Sequence, residues 1–408
     1  MDLDAWIAAT AEGAARSLRG AVSATHLTHR RAVFGRIVRP ARGSVLASPV
    51  SAHWDPEPDY FFHWPRDAAA VMARIPQMMG MGPGWDAAFA EIIAFSLAAT
   101  DPDAAPLRAN PSRPTTLPDG LRHLRPDADL AALTGPARMA EPRTEADGTP
   151  DLERWSRPQH DGPALRASAC MAVIAAAPDL DSPAVGALIA RDLAFCAAVA
   201  GMPSVGPWEE EPARADAFTA IAQWDALTRA RRDGARAMAV IDASRDPATG
   251  AILSHPGGAL DAGVVLAILG AGRADGPLAL TCPAVRATMA GLEDLFAGLY
   301  PINHGATPPL IGRNAADVFF GGNPWLPTTL GFAELLYRRA ALAHDGADLA
   351  RAEGYMARLR AILPPGDALP EQIDRSTGAP TSARELSWSA AAFLGAAEAR
   401  GAAIRALR

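Results

Sequence analysis

Residues 155–167 read Trp-Ser-Arg-Pro-Gln-His-Asp-Gly-Pro-Ala-Leu-Arg-Ala, a polar and aromatic segment that runs into a helix start. Pro163 would take an early helical position, where the missing N–H costs no helical hydrogen bond. Apolar residues then recur at three- and four-residue spacing, as on one face of a helix. The segment predicts a loop that carries aromatic and charged side chains to a helix start. The alternative is an ordinary loop in which Asp161 pairs with Arg166.

The same helical periodicity covers most of the chain, and alternating strand patterns are scarce apart from a short hairpin at 33–45. The periodic segments are 68–79, 85–99, 163–177, 182–200, 214–232, 283–297, 324–344, 347–363 and 383–400. Long connections lie between some of them, and residues 102–136 are predicted to be a mobile loop. No linker divides the chain. We therefore expect a single all-α domain over residues 1–408, with roughly a dozen helices.

Composition excludes several classes of protein. With 408 residues, a net charge of −7 and no basic stripe, the chain does not read as a nucleic-acid binder. It contains no lysine, which excludes a Schiff base, a pyridoxal phosphate anchor and a P-loop. We expect no cofactor and no metal. The amino terminus lacks a signal-peptide pattern and the longest apolar run, 262–272, is too short for a bilayer, so we expect a cytoplasmic protein without membrane contact.

Two glutamates that are far apart in the chain have the chemistry that hydrolysis of a glycosidic bond needs. Glu209 follows Trp208 directly, and Glu371 precedes Gln372 in the run Leu-Pro-Glu-Gln-Ile-Asp. The reaction takes one carboxyl that protonates the leaving oxygen and a second that activates water. In inverting enzymes the two carboxyl groups lie about 6.5–9.5 Å apart, so we expect Glu209 and Glu371 to lie on separate loops. For Glu209 the alternative is a solvated acidic turn that favours a helix dipole.

Three further clusters set aromatic rings beside charged side chains at predicted helix starts. Flat aromatic faces match the C–H faces of a sugar ring, and Arg or Asp can bind adjacent hydroxyls with paired hydrogen bonds. The clusters are Tyr60 to Asp67, with Trp64 and Arg66; Arg313 to Trp325; and Ser382 to Ser389, with Trp388. Each could alone be a packed helix end with a capping residue. Five such clusters at the helix starts of one chain favour a shared sugar site.

Taken in order, these segments resemble glycoside hydrolase family 15, the glucoamylases and their relatives. The pattern from Trp155 to Ala167 matches in full, Trp208-Glu209-Glu210 resembles the acid motif, and Glu371-Gln372 resembles the base motif. Further matches are Ser48-Pro49, Pro58-Asp59-Tyr60, Trp64-Pro65-Arg66-Asp67, Glu141-Pro142, Asp147-Gly148-Thr149, Gly322 to Trp325 and Ser382 to Ser389. They keep the family's order from about residue 45 to 395, almost the whole chain.

The resemblance implies an (α/α)6 barrel of six inner and six outer helices, with a pocket where the inner helices begin. It implies an anomer-inverting exo-hydrolase that releases β-glucose from the non-reducing ends of α-glucosides. Glu209 would be the general acid and Glu371 the general base, and Gln372 would help to hold the water. The substrate-binding residues that it implies are Tyr60, Trp64, Arg66, Asp67, Trp155, Trp208, Glu210, Arg313, Trp325, Gln372 and Trp388.

The chain departs from the family pattern near the acid motif. Gly206 and Pro207 stand where fungal members have an Asp, residues 211–216 replace a Gly/Ser/Phe-rich loop, and Phe319 replaces a Tyr. We therefore expect an altered leaving-group side and, with no starch-binding module in these residues, short α-1,4- or α-1,6-linked glucosides as substrates. A trehalase-like member, or a non-catalytic carbohydrate-binding protein on the same scaffold, is the alternative. The sequence sets neither the linkage nor the oligomeric state.

Overall fold

The structure, a computed structural model, describes residues 1–52 and 57–408. Helices dominate this part of the chain, so the predicted all-α class is confirmed. In chain order the helices are α1 Leu3–Ala21, α2 Pro65–Met72, α3 Ile75–Met79, α4 Trp85–Ala99, α5 Asp127–Ala131, α6 Asp161–Ala176, α7 Pro183–Val199, α8 Ala217–Arg229, α9 Ala235–Ala243, α10 Ala262–Ala271, α11 Pro283–Leu299, α12 Leu326–Ala343, α13 Gly346–Arg360 and α14 Ser387–Ala406. None of these helices has both the length and the apolar character that a bilayer span requires.

The strands in the described residues are short and form antiparallel pairs. The pairs are β1 His29–Arg31 with β2 Arg36–Val38, β3 Phe62–His63 with β4 Thr144–Glu145, and β5 Gln372–Ile373 with β6 Pro380–Thr381. The hairpin predicted at 33–45 is thus placed too late in the sequence. It turns at Gly35, whose φ of +61° suits a residue without a Cβ. The other two pairs lie next to predicted site residues in the sequence, since β3 ends just before Trp64 and β5 begins just after Glu371.

The predicted helix assignments need correction in two ways: one predicted helix is divided, and helices α1, α5, α9 and α10 were not predicted. The segment 68–79 is not one helix but α2 and α3, because Pro76 has no N–H to donate to the carbonyl of Met72 and is tolerated only in the first turn of a new helix. Helix α1 lies outside the predicted segments, although its buried residues Trp6, Thr10, Ala14 and Leu18 are spaced by four. By contrast, the segment 85–99 coincides with α4 at both ends.

The described residues group into two compact units. One contains Met1–Leu18, Ala215–Asp225 and Gly234–Arg408, and the other contains Arg19–Arg214 and Ala226–Asp233. We name them the Glu371 unit and the Glu209 unit after the glutamates that they carry. That the chain is one domain stays a prediction.

Helix α12 is the central element of the Glu371 unit. It packs against α10, α13 and α14, and all its residues from Leu326 to Tyr337 are buried. A helix that is covered on every side has no solvent-exposed polar face, and the buried part of α12 is accordingly mostly apolar. Its first N–H, on Leu326, donates to the carbonyl oxygen of Glu371 at 2.9 Å. The buried start of α12 therefore anchors the segment that holds the predicted base.

Helix α6 has the corresponding place in the Glu209 unit, where α2 and α7 pack against it. A Cβ on Gly162, in the first turn of α6, would lie 2.8 Å from Cβ of Pro65 at the start of α2. Glycine at this position thus allows the two helix starts to touch, together with the loops that precede them. Further along α6, Arg166 donates to both carboxylate oxygens of Asp192 on α7, at 2.8 and 2.7 Å. This buried pair replaces the partner, Asp161, that proximity in sequence had suggested for Arg166.

The segment 102–136 contains short ordered elements, namely α5 and a 3-10 turn at Pro118–His123. Asn110 holds the segment to its surroundings, because its Nδ2 donates to the carbonyl oxygens of Arg125 at 3.1 Å and Leu152 at 2.8 Å. Its backbone N–H donates to Asp127 at 2.9 Å. The mobility of this segment stays a prediction.

His63, the last residue of β3, is buried as a neutral base. Its Nδ1 accepts a hydrogen bond from Val45 N at 3.0 Å, and burial together with the nearby charge of Arg166 lowers the pKa of His63 to about 3. In the unfolded chain a histidine takes up a proton near pH 6.5. Between these values the unfolded state binds the extra proton. The free energy of unfolding should therefore fall as the pH is lowered through this window, by up to about 1.4 kcal/mol per pH unit from this residue.

His63→Asn tests this expectation, since asparagine offers an acceptor oxygen to Val45 but takes up no proton. The slope of unfolding free energy against pH, from urea denaturation between pH 6.5 and 4, should be smaller than in wild type by about one proton. His26→Asn is the control, because His26 is exposed and its loss should leave the slope unchanged. An unchanged slope in His63→Asn would contradict the assignment of His63 as the buried neutral base.

Candidate active site

The carboxyl group of Glu209 accepts hydrogen bonds on both oxygens. Its Oε1 accepts from Trp64 Nε1 at 2.7 Å and from Arg66 Nη1 at 3.1 Å, and its Oε2 accepts from Trp155 Nε1. The side chain is only 9% exposed. Because two indoles and a guanidinium are rigid planar donors, they determine both the position and the plane of the carboxylate. Three residues predicted from two separate sequence clusters are thus brought to the predicted acid.

The backbone of Glu209 is held in an unfavourable conformation. Its φ is +61°, in the left-handed region that costs a non-glycine residue about 1–2 kcal/mol. Ser156 Oγ donates to the carbonyl oxygen of Glu209, and Glu209 N donates to the carbonyl oxygen of Gly206 at 3.3 Å. Such conformations persist where the surroundings hold them, and they are concentrated at functional sites. The carboxylate is therefore aimed by its backbone as well as by its donors.

Backbone pairing between two segments explains how Trp155 reaches Glu209. Val205 N donates to the carbonyl oxygen of Pro158 at 3.0 Å, and Gln159 Nε2 donates to that of Gly206 at 2.7 Å. These bonds lay the start of α6 alongside the chain that leads to Glu209. The motif at 155–167 is therefore a scaffold for the predicted acid, in addition to its predicted part in binding.

Arg66 and Asp67 lie in the first turn of α2, beside Glu209. Burial lowers the pKa of the Arg66 guanidinium, but Glu209 and Asp67 outweigh it and hold that pKa above its usual value. Burial raises the pKa of Asp67 to about 6, with Arg66 opposing the rise and Glu209 adding to it. Asp67 Oδ2 lies 3.4 Å from Arg66 Nη2 but has no hydrogen-bond donor among the described residues. A buried acceptor of this kind suits a sugar hydroxyl.

The remaining predicted residues of the Glu209 unit surround this group. The Tyr60 ring packs edge-on against Trp64, with 5.4 Å between centroids. Trp208 is half-buried and Glu210 is exposed, on either side of Glu209. The structure thus places Tyr60 against the donors of Glu209, and Trp208 and Glu210 on the turn that carries it.

A cavity of about 760 Å³ opens beside Trp155 in the Glu209 unit. Its wall combines apolar residues such as Leu133 and Ala137 with the charged side chains of Arg154, Arg157 and Glu211. Glu211 begins the stretch 211–216 that departs from the family pattern. The unusual stretch therefore contributes to a cavity next to a donor of the predicted acid.

In the Glu371 unit, Glu371 is buried and fixed at side chain and backbone. Its Oε2 accepts from Ser382 Oγ, and its backbone N donates to the carbonyl oxygen of Ala383 at 2.8 Å. Ser382 has a φ of +61°, again a left-handed conformation at a non-glycine residue. The turn between β6 and α14 thus aims its hydroxyl at the predicted base.

Gln372 supplies a polar group beside Glu371. Its Oε1 accepts from Asn323 Nδ2 at 3.0 Å, and the Oδ1 of that asparagine accepts from Arg375 N at 3.1 Å. Gln372 is fully buried, and its Nε2 has no hydrogen-bond partner among the described residues. A buried donor without an acceptor is unfavourable, so this group suits a water or a substrate oxygen. That Gln372 helps to hold the attacking water stays a prediction.

Arg313, Trp325 and Trp388 also belong to the Glu371 unit. The guanidinium of Arg313 lies 5.3 Å from the ring centroids of both Trp325 and Phe319, and its Nε donates to Asp317 Oδ2 at 2.9 Å. Trp325 directly precedes α12, and Trp388 is half-buried in the first turn of α14. The buried partner Asp317 orients the guanidinium and balances its charge.

Four residues that the sequence-based site did not include hold its members in place. They are Ser156, Asp317, Asn323 and Ser382. All are polar residues inside or next to the quoted motifs, so their place in the sequence could have suggested a role in the site. The groups that they contact, however, depend on the fold. In the described residues no three of His, Cys, Asp and Glu lie together as a metal site would require, and the absence of a metal stays a prediction.

Comparison with known proteins bears on this arrangement. The family model "Glycosyl hydrolases family 15" matches residues 133–245, which contain Trp155 and Glu209. Glucoamylase-1 of Schizophyllum commune is 27% identical over 441 residues, covering 90% of this chain and 70% of that protein. Glucoamylase P of Amorphotheca resinae is 27% identical over 421 residues, covering 86% and 64%. The chain thus spans about two thirds of the length of these relatives.

Solved structures show the same fold. The glucoamylase of Saccharomycopsis fibuligera is 19% identical with a TM-score of 0.74, covering 99% of this chain and 96% of its own. The glucoamylase of Hormoconis resinae is 24% identical with a TM-score of 0.73, covering 98% and 74%. The predicted (α/α)6 barrel, the fold of these glucoamylases, is thereby confirmed. The matched segment of the family model, the relatives at 27% identity and the shared fold together make the chain similar to the glycosyl hydrolases of family 15 and indicate a glycoside hydrolase.

Proposed function

We propose that the chain is an anomer-inverting, exo-acting hydrolase of short α-1,4- or α-1,6-linked glucosides, which releases β-glucose from their non-reducing ends. The observation that supports this most directly is the carboxylate of Glu209 with its three planar donors, Trp64, Arg66 and Trp155. An acidic turn that only favours a helix dipole would be solvated and would need no such set of donors. The donors therefore favour a chemical role for Glu209.

In the proposed reaction Glu209 gives its proton to the glycosidic oxygen as the bond from that oxygen to the anomeric carbon breaks. The carboxyl becomes a carboxylate at this step. The guanidinium of Arg66 and the two indole N–H groups already point at its oxygens, so they stabilise the developing charge without reorganisation. A strained backbone keeps the acid in that position before substrate binds.

Glu371 is the proposed general base. It takes a proton from a water that adds to the anomeric carbon on the face opposite the leaving group, which inverts the configuration. Ser382 holds one oxygen of Glu371, and Nε2 of Gln372, which has no acceptor among the described residues, offers a donor to the water. Both features support positioning of one nucleophilic water.

For the substrate, we propose that the terminal glucose is held by Arg66 and Asp67, the latter of which has a buried oxygen without a hydrogen-bond donor in the described residues. The leaving group is proposed to extend toward the cavity beside Trp155. That cavity includes Glu211, from the stretch in which the chain departs most from its family.

Proton NMR of the glucose released in the first minutes tests the proposal. The substrates are maltose, isomaltose, kojibiose, nigerose and trehalose, each followed before mutarotation mixes the anomers. We expect β-glucose to appear first from at least one α-1,4- or α-1,6-linked disaccharide. α-Glucose as the first product would overturn inversion, and no glucose from any of them would overturn hydrolysis of short glucosides. Cleavage of trehalose alone would favour the trehalase-like alternative.

A further inference from the structure

Arg143 is a fully buried arginine whose guanidinium is surrounded by aromatic rings. Its guanidinium carbon lies 3.7 Å from the ring centroid of Trp155, 3.9 Å from that of Phe62 and 5.3 Å from that of Trp64. A second buried arginine, Arg31, lies 3.8 Å from the Phe62 centroid. Cations over ring faces are attracted most strongly where water is excluded. Arg143 therefore contacts both indoles that donate to Glu209.

The carboxylates around Arg143 do not explain its position as well as the rings do. Arg143 Nε donates to Asp151 at 3.1 Å, but its Nη2 contacts Asp151 and Glu153 only at 3.4 Å. Its Nη1 has no acceptor among the described residues. Asp151 is also bound by Arg157 at 2.8 Å. The flat guanidinium is thus placed by its ring contacts, with looser hydrogen bonds at its edge.

The positive charge of Arg143 is balanced by the buried carboxylates of Asp151 and Glu153. Burial favours the neutral form of Asp151, but Arg143 and Arg157 outweigh it and hold the pKa of Asp151 below its usual range. Burial raises the pKa of Glu153 to about 7, against the opposing charges of Arg143 and Arg31. Removing the charge of Arg143 would therefore cost stability, and a test of its role must separate that loss from an effect on the reaction.

An indole is rigid, so a shift of its ring moves its N–H by a similar distance. Trp155 and Trp64 donate to different oxygens of Glu209, and both pack against the Arg143 guanidinium. Without the guanidinium, the space between Phe62 and Trp155 would be open to either ring. A displacement of about 1 Å in a catalytic group can slow a reaction about 100-fold.

On these grounds we propose that Arg143 is a positioning residue for the acid: by packing against Trp155 and Trp64, it sets the place of the two N–H groups that hold Glu209. The inference rests on the proposed function of Glu209. Arg143 touches neither the substrate nor the reacting atoms in this scheme. Its effect should therefore be confined to the step that needs a proton from Glu209.

The test compares two substrates in Arg143→Met. An α-linked disaccharide that wild type cleaves needs a proton for its leaving oxygen, whereas α-glucosyl fluoride releases fluoride with little proton donation. We expect kcat on the disaccharide to fall about 100-fold, with a much smaller change in KM and a loss of less than about 5-fold on the fluoride. Equal losses on both substrates would overturn the inference and leave only a structural role for Arg143.

Two further variants keep the test decisive. Arg143→Lys retains the charge but lacks the flat guanidinium surface, so it should fold and show an intermediate, disaccharide-selective loss. Arg339→Met removes a comparably buried arginine, the partner of Asp348 in the Glu371 unit, and should leave the ratio of the two rates unchanged. If wild type cleaves neither substrate, the proposed function fails. If wild type cleaves both and Arg143→Lys shows no selective loss, only the inference about Arg143 fails.

Discussion

Glu209→Gln is expected to lower kcat on unactivated α-glucosides by about 10²–10⁴-fold, the usual contribution of a general acid. An amide of the same shape cannot supply the proton that the leaving oxygen needs. The structure adds a second effect. Both oxygens of Glu209 accept N–H groups, so the NH₂ of glutamine must face one of its donors, Trp64 and Arg66 or Trp155. The variant should therefore lose some order at these side chains as well as its proton.

Steady-state kinetics on a disaccharide and on α-glucosyl fluoride separate the two effects. The loss on the fluoride should be at least about 10-fold smaller, because that leaving group depends little on an acid. Glu91→Gln is the matched control, since Glu91 also accepts on both oxygens, from Ser23 at 2.6 Å and Arg42 at 2.8 Å. It should keep wild-type rates on both substrates. Equal losses of Glu209→Gln on both substrates would contradict a general-acid role.

Glu371→Gln should lower kcat by a similar factor, about 10²–10⁴-fold, but on both substrates alike. The attacking water must lose a proton whichever group leaves, and an amide cannot take it. Glutamine can still accept from Ser382, so the hydrogen bond that aims residue 371 would be kept. The fluoride thus distinguishes the two glutamates: it should restore turnover in Glu209→Gln but not in Glu371→Gln.

Glu293→Gln serves as the control for this variant. Glu293 lies in the same unit and accepts from the hydroxyl of Tyr355 at 2.8 Å, as Glu371 accepts from Ser382. The kcat of Glu293→Gln should stay within about twofold of wild type, because loss of the partly exposed ion pair between Glu293 and Arg351 costs little folding stability. Wild-type turnover of either substrate by Glu371→Gln would rule out Glu371 as the base.

Features that depend on near neighbours in the chain could be read from the sequence. Helix α4 was predicted with its observed bounds, and Pro163 correctly indicated the start of α6. The break at Pro76 was overlooked although the signal was present, since a proline beyond the first turn of a helix, here the ninth residue of the segment 68–79, removes a backbone donor. The motifs that are proposed to be catalytic were recognisable for a related reason: Trp-Glu-Glu and Glu-Gln are short runs whose residue types such chemistry needs together.

Contacts between distant residues could not be read in the same way. Every basic residue apart from histidine is an arginine, so composition alone does not distinguish one from another. Arg166 looked like a partner of Asp161 five residues earlier, yet it pairs with Asp192 across two helices. Arg143 directly follows the quoted pair Glu141-Pro142 but was not assigned a role, because its ring contacts involve Phe62 and Trp64, about 80 residues away.

The sequence by itself determined the helical class, the resemblance to family 15 and the choice of the two glutamates that are proposed to be catalytic, because these follow from periodicity and from short runs of chemically specific side chains. The tertiary structure alone decided how the acid is held. The left-handed backbone of Glu209, its three planar donors and the buried arginine behind them come from segments as far apart as residues 62 and 209. Burial excludes water from these donors and cations. Each of them must therefore pair with a protein group, and packing decides which group that is, rather than position in the chain.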